Sequence, residues 1–324
     1  MNKAPLVFVI VVNYNGLKYL ETCFSSLEQQ TYKNYRIIML DNASTDNSVQ
    51  FTQKNFSKIF IIQANENYGF AKGNNLAIGF ALDQKADYVF LVNNDTEVER
   101  DLLKKLVGAA EGDSSIGVVG PAIFGLKNKG TLQELGMAVD RFGYPLAIKT
   151  FSKKNNCVFF VSGCAMLIKS DLLRKIGLFD EKYFMFAEDL DLCWRGRLSG
   201  YKIIVVDNAK IYHASGGSIS GGVLKGSTYK TNVNRIFLRE KNTIRTLIKN
   251  YETSSIIKIM PSYMALLLFE AIFWSFIFKP NITKNILKAI SWNIKHLPDT
   301  LQQRVIIQNL RKISDKEIAA IMVT

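Results

Sequence analysis

The chain has 324 residues, of which 48% are hydrophobic and 21% charged, an ordinary globular composition with length for one large domain and an appendage. Its formal net charge of +13 is compatible with a nucleic acid, an anionic membrane surface or an anionic substrate, but no nucleic-acid-binding motif accompanies the charge. Four cysteines without C-x-x-C spacing argue against a disulfide framework or a zinc site and predict buried thiols in a reducing compartment.

The first apolar run, Leu6–Val12, follows a lysine and has to be distinguished from a secretory signal. It is short, rich in β-branched residues, and ends in Asn13-Tyr-Asn-Gly16 without a small-residue cleavage pattern. These features favour a buried parallel strand. The sequence therefore predicts a protein that is not exported and that acts in the cytoplasm.

Apolar runs and segments of helical spacing alternate through the first hundred residues, and each run ends in polar residues. The predicted strands are Leu6–Val12, Tyr35–Leu40, Lys58–Ala64 and Tyr88–Val92, and the predicted helices are Leu17–Gln30, Asp46–Phe56 and Gly69–Asp83. This alternation predicts right-handed βαβ units in an α/β fold with a mostly parallel sheet. Because such sheets bind ligands outside the carboxyl ends of their strands, the four polar loops predict a nucleotide site.

Two of the polar junctions either bind the nucleotide or only shape a turn. Asp41 begins the run Asp41-Asn-Ala-Ser-Thr-Asp-Asn-Ser48 and can accept hydrogen bonds from a base or a ribose, although the same run supplies good helix caps. In Asn67–Asn75, Gly69 and Gly73 permit close backbone approach, and the amides of the following helix favour an anion. Tight packing of that helix on the sheet explains these glycines equally well.

A buried strand that ends in Asn93-Asn-Asp95 places a carboxylate at the same edge of the sheet. Mg²⁺ or Mn²⁺ would bridge Asp95 to a diphosphate, the alternative being an exposed turn aspartate. His213 follows a later strand, and its neutral imidazole would complete the metal shell. The glycine-rich residues after it would close over the diphosphate, with Lys225 or Arg239 supplying positive charge, unless they form a simple connector.

Three carboxylates occupy the first turn of a helix predicted over Glu188–Ser199. Helix N-termini stabilise acids, but the preceding Tyr183-Phe-Met-Phe186 would half-bury these three, which capping does not require. Inverting sugar transfer needs a carboxylate that deprotonates the acceptor hydroxyl. We assign this role to Asp189, which the helix dipole would keep ionised, and expect Glu188 and Asp191 to orient the acceptor or to cap the helix.

The last hundred residues change in character, which predicts domains at 1–226 and 227–324. A basic helix is predicted over Thr228–Asn250, with either a solvated face or an anionic partner, and an amphipathic helix over Asn285–Leu310. The apolar stretch Ser255–Phe278 is interrupted by two charged residues and a proline. We therefore favour a membrane-associated interfacial helix over a packed core or homodimer helix, and either of these over a true span.

Six short motifs, in this order along the chain, resemble family 2 glycosyltransferases with a GT-A fold, and among them the rhamnosyltransferase-like branch that builds bacterial or archaeal surface glycans. Each motif is weak alone, but the ordered set is specific. The motifs are Val12-Asn-Tyr-Asn-Gly16, Asp41-Asn-Ala-Ser-Thr-Asp46, Asn67-Tyr-Gly-Phe-Ala-Lys-Gly-Asn-Asn75, Asn93-Asn-Asp-Thr96, Glu188-Asp-Leu-Asp-Leu-Cys-Trp-Arg195 and His213.

The resemblance implies inverting, metal-dependent transfer from a UDP- or dTDP-sugar, such as dTDP-rhamnose, to a hydroxyl of a cell-surface glycan or a lipid-linked acceptor. That acceptor would lie at the inner face of the plasma membrane. Asp189 falls on the base, and Asp95 and His213 fall on metal ligands, while Asn93 replaces the first aspartate of the family's D-x-D motif. The residues that would line the nucleotide-sugar site are Val12, Asn13, Asn15, Asp41, Asn67, Gly69, Lys72 and Asn94.

Two other functions compete with this interpretation. A nucleotidyltransferase that makes activated sugars would need a glycine-rich loop with Arg or Lys after the first strand, which Asn13–Gly16 do not supply. A non-enzymatic membrane- or nucleic-acid-binding protein would use the basic tail, but the carboxylate cluster would then have no purpose.

Overall fold

The computed structural model describes residues 4–150, 156–214, 223–225, 228–230 and 233–323, and side chains are described outside residues 223–234. The strands are β1 Val7–Asn13, β2 Tyr35–Asp41, β3 Phe60–Gln63, β4 Tyr88–Val92, β5 Thr96–Val98, β6 Ile116–Gly125, β7 Leu132–Glu134, β8 Met137–Val139, β9 Pro145–Ala147, β10 Ala165–Lys169, β11 Lys202–His213, β12 Val223–Lys225 and β13 Thr228–Lys230. The helices are α1 Leu17–Glu28, α2 Ser48–Asn55, α3 Gly69–Asp83, α4 Leu102–Gly112, α5 Ser170–Ile176, α6 Glu188–Leu198, α7 Val233–Asn250, α8 Thr253–Phe276, α9 Pro280–Lys295, α10 Leu297–Asn309 and α11 Asp315–Ala319, with a 3-10 turn at Glu181–Tyr183.

A nine-stranded sheet forms the centre of the described fold, in the order β3-β2-β1-β4-β10-β6-β11-β5, with β7 beside β6. The strands predicted in the first hundred residues pair in parallel, β1 with β2 and β4, and β2 with β3. The later strands make the sheet mixed, because β10 runs antiparallel to both β4 and β6. The α/β prediction is confirmed, and its parallel part brings the ends of β1, β2 and β4 to one edge.

Side chains of the central strands are buried on both faces of the sheet. On β1, Phe8 and Ile10 join a cluster with residues of α3 and α6, while Val7, Val9 and Val11 join a second cluster with residues of α1 and α4. Burial on both sides explains why this strand is a continuous apolar run and why it does not alternate with polar residues.

The apolar segment Val158–Ile168 forms a regular strand only from Ala165 onward. Residues 157–160 instead make isolated bridges, in which Cys157 opposes Ile204 and Phe160 opposes Met137. Strand β11 extends beside β6 from Lys202 to His213, with an irregular register between Val206 and Lys210. This extension carries His213 to the edge of the sheet.

Five helices make up the described part of the chain from residue 233 to residue 323. The basic helix begins at Val233, because Thr228–Lys230 pairs with β12. The amphipathic helix predicted at 285–310 is two helices, since α9 ends at Lys295 and α10 restarts with Pro298 in its first turn, where a proline has no amide hydrogen to offer the preceding turn. The domain boundary predicted at residue 226 lies outside the described residues.

The solvated face predicted for the basic helix is wrong. Lys241, Arg245 and Lys249 of α7 are buried. Arg245 Nε and Lys249 Nζ each lie 2.7 Å from Asp180 Oδ2, so acids near α6 neutralise the buried cations. Burying a charge requires such pairing, because an isolated charge in the interior is very costly. The expectation of buried thiols holds for Cys23, Cys164 and Cys193 but not for Cys157, which is exposed.

Candidate active site

The carboxylate of Asp95 and the imidazole of His213 meet at the edge of the sheet. The short strand β5 follows Asp95 and pairs antiparallel with β11, which places Thr96 opposite His213. As a result, His213 Nε2 lies 3.2 Å from Asp95 Oδ1, and Asp95 is 6% exposed. Burial disfavours the imidazolium, but neighbouring Cys164 and Asp95 outweigh that effect and raise the pKa of His213 to about 11.

The donor chemistry of this pair fits a divalent cation. A separation of 3.2 Å suits two adjacent ligands of one octahedral ion, which would lie about 3 Å apart at metal–ligand distances of about 2.1 Å. Within the described residues no group of three or more His, Cys, Asp or Glu side chains could hold a metal. Water and a diphosphate would therefore have to supply the other ligands. One imidazole beside one carboxylate suits Mn²⁺ better than Mg²⁺.

A chain of side-chain hydrogen bonds connects the loops that follow β4, β1 and β2. Asn94 Nδ2 donates to Asn13 Oδ1 at 2.7 Å, and Asn13 Nδ2 donates to Asp41 Oδ1 at 3.1 Å. Asp41 is buried and also accepts from the hydroxyl and the amide of Ser44. Asn94 and Asn13 approach Gly16 so closely that a Cβ there would lie 2.1 Å from Asn94 Nδ2. The sequence-predicted residues of this edge are therefore in one network.

Asn15 and Val12 complete the same edge. Asn15 has a left-handed φ of 50°, and its Oδ1 accepts from the amide of Thr45 at 2.7 Å. Its own amide donates to Ser44 Oγ at 2.9 Å. Val12 is half-buried beside the end of β1. These contacts fix the loops after β1 and β2, and the roles of Asn15 and Val12 in nucleotide binding stay predictions.

The predicted anion site at the start of α3 is corrected by the structure. The amides of Phe70 and Ala71 donate to the carbonyl oxygen of Phe184, at 2.7 and 3.2 Å, and so have a protein partner. Gly69 has a φ of 72°, and a Cβ at this position would come 2.5 Å from the same carbonyl oxygen. The glycine is therefore explained by close packing against the segment before α6.

The other predicted donor-loop residues lie beside Gly69. Asn67 Oδ1 accepts from the amide of Gly69 at 2.9 Å, which closes a local turn. Lys72 Nζ lies 3.7 Å from the ring centre of Tyr68, a cation–π contact. Lys72 is thus held on the surface of α3, and its predicted role with the nucleotide sugar is not tested by these contacts.

The four residues Phe184–Ala187, here called the elbow, connect the 3-10 turn to α6 in a strained conformation. Phe184, Phe186 and Ala187 have φ values of 62°, 72° and 63°, a region that residues with a Cβ rarely adopt. Buried Asn242 of α7 holds the elbow, because its Nδ2 lies 2.8 Å from the carbonyl oxygen of Met185 and 2.6 Å from that of Phe186. No local sequence pattern indicates this contact, which joins residues more than fifty positions apart.

Asp189 and Glu188 begin α6 in different environments. Asp189 is half-buried, and its Oδ2 accepts from the amide of Gly163 at 2.9 Å while Oδ1 accepts from that of Leu190 at 2.8 Å. Burial raises the pKa of Asp189, and these amides oppose the rise. Burial and the Asp189 carboxylate raise the pKa of Glu188 well above its usual range, and no described protein group bonds to its Oε2. The two amides favour the ionised form of Asp189, whereas burial and the neighbouring carboxylate disfavour ionisation of Glu188.

The acceptor role expected for Asp191 is corrected, because this residue is fully buried. Its carboxylate lies 2.9 Å from Arg195 Nε and 3.0 Å from Lys249 Nζ, and it also accepts from Asn250 Nδ2 at 3.0 Å. Burial alone would raise the pKa of Asp191, but the two cations hold it below its usual value. Asp191 joins α6 to α7 and is not available to an acceptor.

Of the two residues expected to supply positive charge near the diphosphate, Arg239 makes other contacts. Arg239 Nε donates to Glu240 Oε1 at 2.6 Å, and its guanidinium lies over the ring of Tyr144. Arg239 therefore contacts α7 and the loop before β9, and its predicted role with the diphosphate is corrected. The glycine-rich residues 215–222 and the side chain of Lys225 lie outside the described residues.

Residues Ser162–Cys164, here called the bridge segment, join the two halves of the site. The amide of Gly163 donates to Asp189, and the carbonyl oxygen of Cys164 accepts from the amide of Asn93 at 2.9 Å. Burial raises the pKa of the Cys164 thiol, and the nearby His213 reduces this rise. Asp95 and Asp189 therefore lie at the same edge of the sheet, as the sequence interpretation required.

Glu134 of β7 is a site residue that the sequence did not reveal. Burial and the nearby Asp189 carboxylate raise its pKa to about 7, whereas His213 lowers it. Its Oε1 is buried without a hydrogen-bond partner among the described residues. The neighbouring Gln133 donates to the His213 carbonyl oxygen at 3.2 Å. A short strand in an irregular stretch carries no sequence signal of such a position.

The chain matches a family model and is similar to several known proteins. The family model described as "Glycosyl transferase family 2" matches residues 8–177. An N-acetylglucosaminyl-diphospho-decaprenol L-rhamnosyltransferase of Mycobacterium tuberculosis is 25% identical over 230 residues, which are 63% of this chain and 75% of the relative. A dTDP-rhamnosyl transferase, RfbF, of Shigella flexneri is 20% identical over 222 residues, covering 65% of this chain and 69% of the relative.

Solved structures show the same fold at low sequence identity. GalNAc-T7 with UDP, GalNAc and Mn²⁺ matches with a TM-score of 0.63 and 15% identity, over 91% of this chain but only 58% of that longer chain. Staphylococcus aureus TarS 1-349 with UDP-GlcNAc matches with a TM-score of 0.58 and 18% identity, over 94% and 89% of the two chains. The mannosyltransferase PcManGT of Pyrobaculum calidifontis with GDP-Man and Mn²⁺ gives 0.55 and 16%, over 99% and 84%. These likenesses confirm the predicted GT-A fold.

Proposed function

The chain belongs to glycosyltransferase family 2, and we propose that it is an inverting transferase in which Asp189 deprotonates an acceptor hydroxyl while the edge around Asp95 holds a nucleoside-diphosphate sugar. The observation that carries this proposal is the bridge segment, which bonds to Asp189 on one side and to Asn93, two residues before Asp95, on the other. In the proposed arrangement the acceptor hydroxyl would attack the sugar from the side of Asp189, opposite the departing diphosphate.

Different roles are proposed for the two carboxylates at the start of α6. Ionised Asp189 takes the proton of the attacking hydroxyl as its oxygen forms the new bond to the anomeric carbon, and the bond to the diphosphate breaks with its electron pair leaving on the nucleotide. A neutral Glu188, which burial favours, would add no second negative charge beside the base and could donate a hydrogen bond to the acceptor. The amide of Gly163 orients the base, since it binds one of its two oxygens.

The cation and the nucleotide have their own residues in the proposal. Asp95 and His213 would hold Mn²⁺ or Mg²⁺, and a bound cation stabilises the negative charge of the departing diphosphate. A bound cation would take the place of the proton between His213 and Asp95, so His213 would hold it as the neutral imidazole. Asp41, Asn13, Asn15, Val12 and Asn94 would line the base and ribose. Asn67 and Lys72 would lie beside the donor sugar.

The two competing interpretations find less support in the structure. The loop after β1 carries no Arg or Lys, and its close contact with Asn94 leaves little room for the triphosphate of a nucleotidyltransferase. The basic residues of α7 that were candidates for nucleic acid are buried in ion pairs, as Lys249 and Arg245 show. Neither alternative explains why Asp189 and Asp95 share one edge.

The donor and the acceptor are inferred from the relatives. We propose a dTDP- or UDP-sugar donor, with dTDP-rhamnose foremost, because two relatives carry rhamnosyl transfer in their names. A lipid-linked glycan is the proposed acceptor, since one of these relatives acts on a diphospho-decaprenol. Such an acceptor places the enzyme at the inner face of the plasma membrane, in the cytoplasm.

A donor panel tests the proposal. Purified protein is incubated with dTDP-rhamnose, UDP-GlcNAc, UDP-glucose and GDP-mannose, with Mn²⁺ or with a chelator, and release of the nucleoside diphosphate is measured. We expect slow hydrolysis of one donor class with Mn²⁺ and none with the chelator. Failure to bind or hydrolyse any of these donors would overturn the proposed function. Production of pyrophosphate from a sugar 1-phosphate and a nucleoside triphosphate would establish the nucleotidyltransferase in its place.

A further inference from the structure

The outer side of α8 presents a large apolar surface that no described part of the chain covers. Phe278, Phe276 and Ile257 are 92%, 78% and 69% exposed, although a folded protein normally buries side chains of this size. Phe269, Ile272, Phe273 and Phe276 follow the spacing i, i+3, i+4 and i+7, so they share one side of the helix. We call the surface formed by Phe269, Ile272, Phe273, Phe276 and Phe278 the aromatic face.

The opposite side of α8 is bound firmly to the rest of the protein. Tyr263 is fully buried, its hydroxyl donates to Glu240 Oε2 at 2.8 Å, and its ring stacks against Phe142. Leu267 and Ala271 are buried on the same side. By length and composition alone α8 could cross a bilayer. To do so it would have to expose Tyr263 and leave Glu240 buried without that partner, so the contacts favour a helix that lies along a surface.

Lysines strongly outnumber acids along α8 and α9. Residues 253–295 contain five lysines and a single acid, Glu270. Lys258, Lys284 and Lys295 are exposed, whereas Glu270 is half-buried, and burial raises its pKa. An apolar face bordered by lysines is complementary to a layer of anionic lipid headgroups over an apolar interior.

The same charges argue against a second copy of the chain as the occupant. A two-fold symmetric contact would place the aromatic face against itself and bring the same lysines of both copies together. The only acid in this stretch is half-buried, so it does not supply the opposite charge that such a contact needs. A lipid surface needs no acid from the protein.

From these observations we propose that α8 and α9 form a membrane-docking surface, in which the aromatic face enters the headgroup region of an anionic bilayer and the lysines of both helices bind lipid phosphates. The inference rests on the proposed function only in explaining why an enzyme with a lipid-linked acceptor would need such a surface. The helix would lie in the plane of the interface, with its aromatic side chains inserted to a depth of about 5–10 Å.

Vesicle flotation tests the surface with the full chain. Phosphatidylcholine vesicles with and without phosphatidylglycerol are compared, and we expect the protein to float with the anionic vesicles and to be released by high salt. Phe269→Gln/Phe276→Gln/Phe278→Gln should lower the vesicle-bound fraction about tenfold or more, because it removes three inserted rings. The matched control Phe60→Gln changes an exposed phenylalanine of β3 and should float as the unmodified protein does.

The lysines are tested in the same assay. Lys258→Gln/Lys284→Gln/Lys295→Gln should reduce binding to anionic vesicles, whereas Lys54→Gln/Lys58→Gln/Lys104→Gln, at exposed lysines of the catalytic domain, should not. Hydrolysis of the soluble donor should be unchanged in all four sets, which separates this inference from the proposed function. If the unmodified protein does not float, or if the phenylalanine and lysine variants float normally, the docking surface is refuted. A stable dimer in light scattering that the phenylalanine variants dissociate would show that a second copy covers the face.

Discussion

Replacing Asp189 and Glu188 one at a time gives the sharpest test of the proposed mechanism. In Asp189→Asn the carboxamide can still accept from Gly163, so the bridge segment keeps its main contact, but it cannot take a proton. Losing a general base costs about 10²–10⁴ in rate, or about 2.7–5.4 kcal/mol of barrier. Glu188→Gln, in contrast, resembles the protonated carboxyl that the burial of this residue favours. We expect it to lose less than about tenfold, because a neutral hydrogen-bond donor remains.

The pH dependence adds a second criterion. Because burial raises the pKa of Asp189, activity should fall as the pH drops through a value above that of an ordinary aspartate, where the base becomes protonated. That acid limb should stay in place in Glu188→Gln, since burial favours a neutral Glu188. The assay is release of nucleoside diphosphate from the donor that the panel identifies, across pH, with thermal unfolding as a control for folding. If Asp189→Asn retains activity while Glu188→Gln is inactive, the two roles have been assigned to the wrong residues.

Three further outcomes follow from contacts elsewhere in the site and its support. Asp95→Asn should abolish the Mn²⁺-dependent part of nucleotide binding in calorimetry, and equal affinity in the presence of a chelator for the unmodified protein would remove the metal role. Gly69→Ala should lower the free energy of unfolding by about 1–3 kcal/mol, because the residue has a φ of 72° and its Cβ would clash with the Phe184 carbonyl; an unchanged denaturant midpoint would contradict this. Lys249→Met should cost about 3–5 kcal/mol, since it leaves two buried carboxylates with one cation fewer. Burial alone would raise the pKa of Asp180, but Lys249 and Arg245 hold it below its usual range. The ion pair therefore stabilises the fold at neutral pH, and the loss of stability in Lys249→Met should shrink as Asp180 becomes protonated in acid.

The fold was predictable where local pattern decides structure. A run of β-branched residues that ends in asparagine and aspartate identifies both a buried strand and the edge at which it stops, as at Val7–Asn13 and Tyr35–Asp41. The order of the motifs then indicated that Asp95 and His213 share a site, although 118 positions separate them. The spacing of residues could not have shown this, since it depends on β5 turning back to pair with the end of β11.

The parts of the site that were missed depend on long-range pairing of buried polar groups. Asp191 looked like its neighbours Glu188 and Asp189 in sequence, and its contacts with Lys249 and Asn250 on a distant helix distinguish it. Glu134 and Asn242 are further cases, because each acts through a contact with residues far away in the chain. Local patterns report periodicity and turn chemistry, and they carry no record of which charges will meet in the interior.

The bridge segment constrains how the specificity of this enzyme can be re-engineered by recombination. Its central glycine amide and its cysteine carbonyl are hydrogen-bonded to opposite sides of the site within two consecutive residues. A hybrid could take the loop after β4 from one parent and the start of α6 from another. The bridge segment would then have to bond to residues from two different parents. Breakpoints that keep residues 93–189 from a single parent avoid this mismatch, whereas a breakpoint at residue 250 would separate Tyr263 from its buried partner Glu240.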